Sequence, residues 1–186
     1  MDAAGSGTAP ASAADVIAAV LKWSEDFIEQ PHEIFGGLPG CPFARAARLK
    51  EAIRFEVRPF ALDDPLEEGG ELLSLVGEFA RQAERGERET LFVIHPDAAQ
   101  PPQDLESFVQ RLNARLASGC LGGFQAFEAH PRSNFRVGDV YTRRSPYPSF
   151  QILSRASLKS ASDSLQSSDY YRRFTPAMLR AVGMPR

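Results

Sequence analysis

The sequence predicts an α/β fold: a single domain with a mixed, mostly parallel sheet of about four strands flanked by helices. Three observations lead there. Strand-length apolar runs alternate with longer segments of helical periodicity. Two of those runs, Leu91-Phe92-Val93-Ile94-His95-Pro96 and Phe124-Gln125-Ala126-Phe127-Glu128-Ala129-His130-Pro131, end in the same His-Pro pair. A chain of 186 residues also suits one domain with a sizeable core.

The elements follow in order. Residues 1–11 are rich in Ala, Gly, Ser and Pro and are expected to form a disordered tail, leaving 12–186 as the domain. Ser12-Ala13-Ala14-Asp15 resembles a capping box. Val16, Ile17, Val20, Trp23, Phe27 and Ile28 then keep helical spacing until Pro31 should stop it. A Gly/Pro-rich loop to Gly40 carries His32, and Cys41-Pro42 opens a short helix to about Lys50. Ile53, Phe55 and Val57 alternate with charged residues, as in a half-exposed strand. Asp64-Pro65-Leu66-Glu67 reads as a helix start, with Gly69 and Gly70 weakening the first turns and Gly86 as the stop. Thr90 to His95 reads as a central strand. Asp104 is expected to cap a helix buried through Leu105, Phe108, Val109, Leu112 and Leu116. A third strand runs from about Leu121 to His130 and a fourth from Phe150 to Ser154. Weaker helical segments follow near Ala156 to Leu165 and Ser168 to Val182. Successive strand-helix-strand units imply right-handed crossovers and three parallel strands. The fourth strand follows a loop without a crossover helix, so it is expected to be antiparallel.

Composition excludes several classes. Hydrophobic residues make up 43% and charged residues 24% of the chain, as in ordinary globular proteins. A net charge of −3 gives no basic field for broad nucleic-acid binding. No apolar run is long enough to span a bilayer, so no membrane partner is expected. The N-terminus lacks the basic start and apolar stretch of a signal peptide. Cys41 and Cys120 are therefore expected to be reduced thiols of a cytoplasmic protein. Nothing in the pattern fixes an oligomeric state.

The candidate chemistry gathers around the histidines. Proline cannot donate to a ladder, so both His-Pro strands should stop there. If they run parallel, His95 and His130 sit at one sheet edge, where open α/β sheets bind ligands. They can serve as metal ligands or as an acid/base pair. Glu128, two residues before His130, shares its strand face and can ligate or orient it. Two histidines and a carboxylate suit iron or zinc, and copper is a further possibility. The bland alternative is that each imidazole is satisfied by a backbone carbonyl. Cys41 precedes a helix whose dipole favours thiolate, so it is a candidate nucleophile or ligand; the alternative is an inert buried thiol. His32 can swing to the same edge or remain a surface loop residue. Arg143-Arg144-Ser145-Pro146-Tyr147-Pro148 is a rigid loop whose guanidinium groups, with Tyr147 nearby, can clamp an anion or simply meet surface acids. No phosphate loop, dinucleotide fingerprint or zinc-protease motif is present.

Cys41-Pro42-Phe43-Ala44, Ile94-His95-Pro96, Phe127-Glu128-Ala129-His130-Pro131 and Arg144-Ser145-Pro146-Tyr147-Pro148 occur in this order along the chain. Together they resemble a bacterial family of uncharacterised proteins, domain of unknown function fourteen-fifteen, over roughly Trp23 to Leu165. The resemblance implies a shared site without naming its chemistry. It also implies an acidic residue where this chain has Arg132, an asparagine where it has Arg143, and a histidine where it has Gln151. If that histidine is a ligand in relatives, this chain has lost one: either His32 or Cys41 takes its place, or the activity is lost with it.

The residues lead to three functional expectations. The first is a metal-dependent oxidoreductase acting on a small anionic substrate, with its site at His95, His130 and Cys41. The second is a metal-free Cys/His hydrolase or acyl-transfer enzyme, with backbone N–H groups stabilising the oxyanion. The third is a non-enzymatic anion-binding module.

Overall fold

The computed structural model describes residues 12–59, 66–97 and 99–184. The expectation of a disordered tail falls on residues 1–11, outside those described. Helix α1 spans Ala13–Trp23 and opens with the expected capping box: Ser12 Oγ accepts the Asp15 N–H at 3.2 Å, and the Asp15 carboxylate accepts the Ser12 N–H at 3.2 Å. Such a cap contributes about 1 kcal/mol. A π-helical turn, Ser24–Ile28, carries the chain to the Pro31 loop. Helix α2 is Ala44–Leu49 and strand β1 is Ile53–Val57.

Helix α3 is Glu71–Glu84, six residues later than the sequence suggests. Gly69 at φ +82° is the reason, since a left-handed residue cannot continue a right-handed helix. Asp64 and Pro65 lie outside the described residues. Strand β2 is Thr90–Ile94 and helix α4 is Pro102–Ala117. Pro102, not Asp104, sets the start of α4: a proline at the first helical position lacks the N–H that would have no partner there. Asp104 lies within the first turn, where its charge faces the positive end of the helix dipole. Strand β3 is Phe124–Ala129 and strand β4 is Ser149–Ser154. Helix α5, Arg155–Leu165, begins at once on a Ser154 cap. The expected last helix is divided: a 3-10 turn at Asp169–Tyr171, then helix α6, Pro176–Ala181, which starts at its own proline.

The strand order is β1-β2-β4-β3. β1 and β2 are parallel, and β4 is antiparallel to both β2 and β3. β3 therefore has the expected direction but not the expected neighbour. β4 inserts between β2 and β3, so no third strand pairs in parallel.

The main core lies between one sheet face and helices α3 and α4. Leu91, Val93, Ala126, Phe150 and Ile152 meet Val76, Phe79, Phe108 and Leu112 there. Each such large side chain contributes about 1.5–3 kcal/mol by leaving water. On the other face Val16 and Val20 of α1 cover Ile94. A third cluster, Phe35, Val137, Leu165 and Tyr170, lies in the loops and the C-terminal segment.

The outer edge of β3 is closed by a side chain. Asn113 donates to the Ala126 carbonyl at 2.9 Å and accepts the Ala126 N–H at 2.8 Å. It thereby imitates a neighbouring strand and blunts the edge. Asn113→Ala should destabilise the fold by about 2 kcal/mol, because two half-buried backbone groups lose their partners. Urea denaturation would measure this, and an unchanged midpoint would contradict the capping role.

Candidate functional site

Ser149, the first residue of β4, pairs with Ile94 on one side and Ala129 on the other. His95 and His130 therefore leave the sheet side by side. Their backbone N–H groups donate to the Pro148 carbonyl (2.9 Å) and the Arg143 carbonyl (2.8 Å). Both histidines are 3% exposed. The sequence expectation of one shared edge for the two His-Pro ends is thus met in space.

Each imidazole is tied to backbone. A carbonyl can only accept, so Nδ1–H of His95 donates to Arg58 O at 3.0 Å. Its ring leans on Phe150 at 5.5 Å between centres. Burial, reinforced by the Arg58 charge, pushes its pKa down to about 4. His130 has both nitrogens engaged: Nε2–H donates to Gln100 O at 3.1 Å, and Nδ1 accepts the Arg132 N–H at 3.0 Å. Burial first, then the Arg132 charge, lowers its pKa too. This geometry uses the Nδ1 lone pair of His130 that a metal would need.

Glu128 does not meet His130. It pairs with Arg143, which also donates to Ala181 O at 2.7 Å and lies 4.2 Å above the Phe135 ring. Sequence reasoning missed the neighbour that shares this pair, Glu106 of α4. Its carboxyl pKa is raised by burial and by the Glu128 charge, while Arg143 opposes the shift. The signal was available: Glu106, Val109, Asn113 and Leu116 follow a three-four-three spacing, which puts two polar residues on the α4 stripe that faces β3.

His32 donates from Nε2 to Phe27 O at 3.1 Å and sits edge-on between the Phe27 and Phe35 rings. Cys41 lies in the same N-terminal loop region, where its N–H donates to Ile28 O at 3.2 Å. The residue as a whole is exposed, yet close packing around its sulfur raises the thiol pKa. The N–H groups of Phe43 and Ala44 pull the other way but do not prevail. The expected helix-activated thiolate therefore meets a larger desolvation penalty. Among the described residues no three or more His, Cys, Asp and Glu side chains gather as metal ligands. Gln151, where the family resemblance implies a histidine, pairs with Phe92 and Phe127. It thus faces α1, away from Glu128.

The loop between β3 and β4 holds the remaining candidates. Ser145, 2% exposed, donates to Tyr147 O at 2.5 Å and so fixes the Ser-Pro-Tyr turn. The Tyr147 ring packs toward the α1 side of the sheet. Arg144 differs from Arg143. Its Nε–H donates to Ser133 O at 2.9 Å and its guanidinium lies 3.5 Å over the Tyr141 ring. Arg136 approaches the same ring at 5.9 Å. Arg132 donates to Gln100 O at 3.1 Å. Among the described residues none of these three arginines has a carboxylate within ion-pair distance. Away from this edge, near the amino end of β3, a cleft of about 210 Å³ is lined by Leu73, Gly77, Leu116 and Cys120.

Fold and site together define a single α/β domain with a cationic loop at the carboxyl edge of its sheet. The chain belongs to the family described as protein of unknown function (DUF1415), whose sequence model matches residues 15–184. No curated protein and no solved structure matches it. No helix among the described residues is long and apolar enough to cross a membrane.

Two predictions follow from the site chemistry. His95 binds a proton less readily folded than unfolded, so its contribution is intact above about pH 6.5. It is lost as pH falls toward about 4, by about 3 kcal/mol in full. His95→Asn keeps a donor for the Arg58 carbonyl without the titration and should flatten the stability profile between those values. An unchanged slope would assign the acid sensitivity elsewhere. Cys41, held as thiol, should alkylate with iodoacetamide at neutral pH no faster than Cys120. Selective rapid labelling of Cys41 would overturn that assignment.

Proposed function

We propose that this protein captures a small anionic molecule at the carboxyl edge of its sheet, with Arg144 as the principal anchor and Arg136 and Arg132 beside it. The observation that carries this reading is the setting of Arg144. Its Nε is fixed by the Ser133 carbonyl and its plane by Tyr141, while no carboxylate among the described residues neutralises it. A guanidinium held in this way has lost its rotamer freedom in advance. Its remaining N–H donors present a fork that suits a carboxylate or phosphate. Arg144 also belongs to the Arg-Ser-Pro-Tyr-Pro motif. Arg143, by contrast, is already satisfied by Glu128 and a backbone carbonyl, so its part is to shape the loop.

Capture without covalent chemistry is the version best supported. The Cys41 thiol is kept protonated, and His130 spends both nitrogens on backbone partners. The same two facts weaken the Cys/His hydrolase and the metal-dependent oxidoreductase built on His95 and His130. Metal content of the purified protein and of His95→Asn separates the oxidoreductase reading from capture.

Calorimetric titration with inorganic phosphate and with citrate at low salt tests the proposal. Binding is expected, weakening as salt rises. Arg144→Ala should weaken it about tenfold or more, the loss of a charge-assisted hydrogen bond. Arg144→Lys should recover only part of it, because an ammonium has no planar fork. Equal affinity in wild type and Arg144→Ala, or no binding of either anion, would overturn it.

A further inference from the structure

The two edges of the sheet are treated differently. β3 is closed by Asn113. Among the described residues β1 hydrogen-bonds to β2 alone. The bond from Arg58 N–H to Ile94 O, 3.0 Å, fixes the phase of that ladder. Arg54, Glu56 and Arg58 turn their backbone groups toward β2. Ile53, Phe55 and Val57 therefore turn theirs outward, where no partner is found among the described residues. All five β1 residues are half-buried.

Open edges recruit strands, and natural proteins usually blunt them. The sequence of this edge, Ile-Arg-Phe-Glu-Val, is complementary to its own reverse: aliphatic meets aliphatic, Phe meets Phe and Arg meets Glu. We propose that β1 is a dimer edge: two copies of this chain pair their β1 strands antiparallel about a two-fold axis at Phe55, making one continuous sheet. In that register the outward residues pair among themselves, Phe55 with the second copy's Phe55 and Ile53 with its Val57. Each is a pair that exchanges both backbone hydrogen bonds. On the α3 face, Arg54 stands opposite the second copy's Glu56, and Glu56 opposite its Arg54. Opposite charges in directly facing positions stabilise a strand pair, and like charges oppose it.

Neighbouring registers fail. Sliding the second copy by two residues one way sets Glu56 against Glu56 and Arg54 against Arg58. Sliding it the other way sets Arg54 against Arg54. That first slide also sets Pro59, which has no N–H to give, opposite Ile53, and a further slide in the same direction sets it opposite Phe55. Among the described residues the Glu56 carboxylate also has no ion-pair or hydrogen-bond partner, whereas Arg54 reaches Glu78 at 3.2 Å. The two-fold supplies Glu56 with the cation it lacks. Such a contact is isologous, so it closes at a dimer and does not propagate into fibres.

Sedimentation equilibrium of the full chain should show concentration-dependent dimerisation. Glu56→Arg should raise the dissociation constant by about tenfold or more, since it sets two arginine pairs face to face. Arg54→Glu should do the same. An equimolar mixture of the two variants restores both opposite-charge pairs and should dimerise while each alone does not. In the wild type, hydrogen exchange at the Ile53, Phe55 and Val57 amides should slow as concentration rises, a readout that needs no variant. A monomer at every concentration, an undiminished Glu56→Arg dimer, or exchange at those amides that ignores concentration would each overturn the proposal.

Discussion

The carboxyl edge of this molecule depends on the insertion of β4 between β2 and β3. One residue, Ser149, stands in register with a residue of each neighbour, Ile94 of β2 and Ala129 of β3. That single placement levels the two outer strands, so the histidines that follow them end at the same height. It also forces the whole loop from Pro131 to Pro148 to lie across the end of the sheet, since its last residue must arrive between the two strands. Pro148 and Arg143 then lend their carbonyls to the histidine N–H groups, and the loop becomes a continuation of the ladder.

The loop is held less by burial than by a set of directed polar contacts. Arg143 joins β3, the loop and α6 through Glu128, Phe135 and Ala181. Ser145 closes the turn through the Tyr147 carbonyl. The hairpin-like turn between Val137 and Val140 favours Gly138, at φ +60°, because a side chain strains a left-handed backbone and a Cβ there would also push the end of Ile34 aside. With those contacts fixed, the guanidinium of Arg144 has a defined direction. The histidines serve the same end from below: each imidazole ties the end of a strand to a neighbouring backbone carbonyl, and each is neutral because burial disfavours its charge.

Much of the fold was legible because it follows local rules. The Ser12 cap, the alternation through β1, the apolar face of α4 and the antiparallel β4 all come from patterns a few residues long. What was not legible depends on contacts distant in sequence. Nothing near Phe124 says that β4, not β2, is its neighbour. The stretch from Asp64 to Glu67 reads as a helix start, but Gly69 takes a left-handed conformation and delays the helix. The site was legible in part: the shared edge of His95 and His130 follows from matching strand ends. Their partners, Arg58 and Gln100 backbone carbonyls, carry no side-chain signature. Arg143 and Arg144 look alike in sequence. Only the position of Glu128 and Tyr141 in space distinguishes the arginine that is spent from the one that is available.

The Tyr170 hydroxyl donates to Gly40 O at 2.5 Å, across 130 residues of chain. With Phe35 and Phe174 its ring forms a stacked cluster that shelters the loop before α2. During synthesis the first half of that cluster leaves the ribosome long before the second. The main core between α3, α4 and the sheet needs nothing beyond β4, so it can assemble first. The loop before α2 must wait, its aromatic face uncovered, until Tyr170 and Phe174 are released. Closing so wide a separation in sequence is slow for entropic reasons. The segment around Tyr170 and Phe174 thus acts as the clasp on this loop, and translation speed through that segment sets how long the loop remains open.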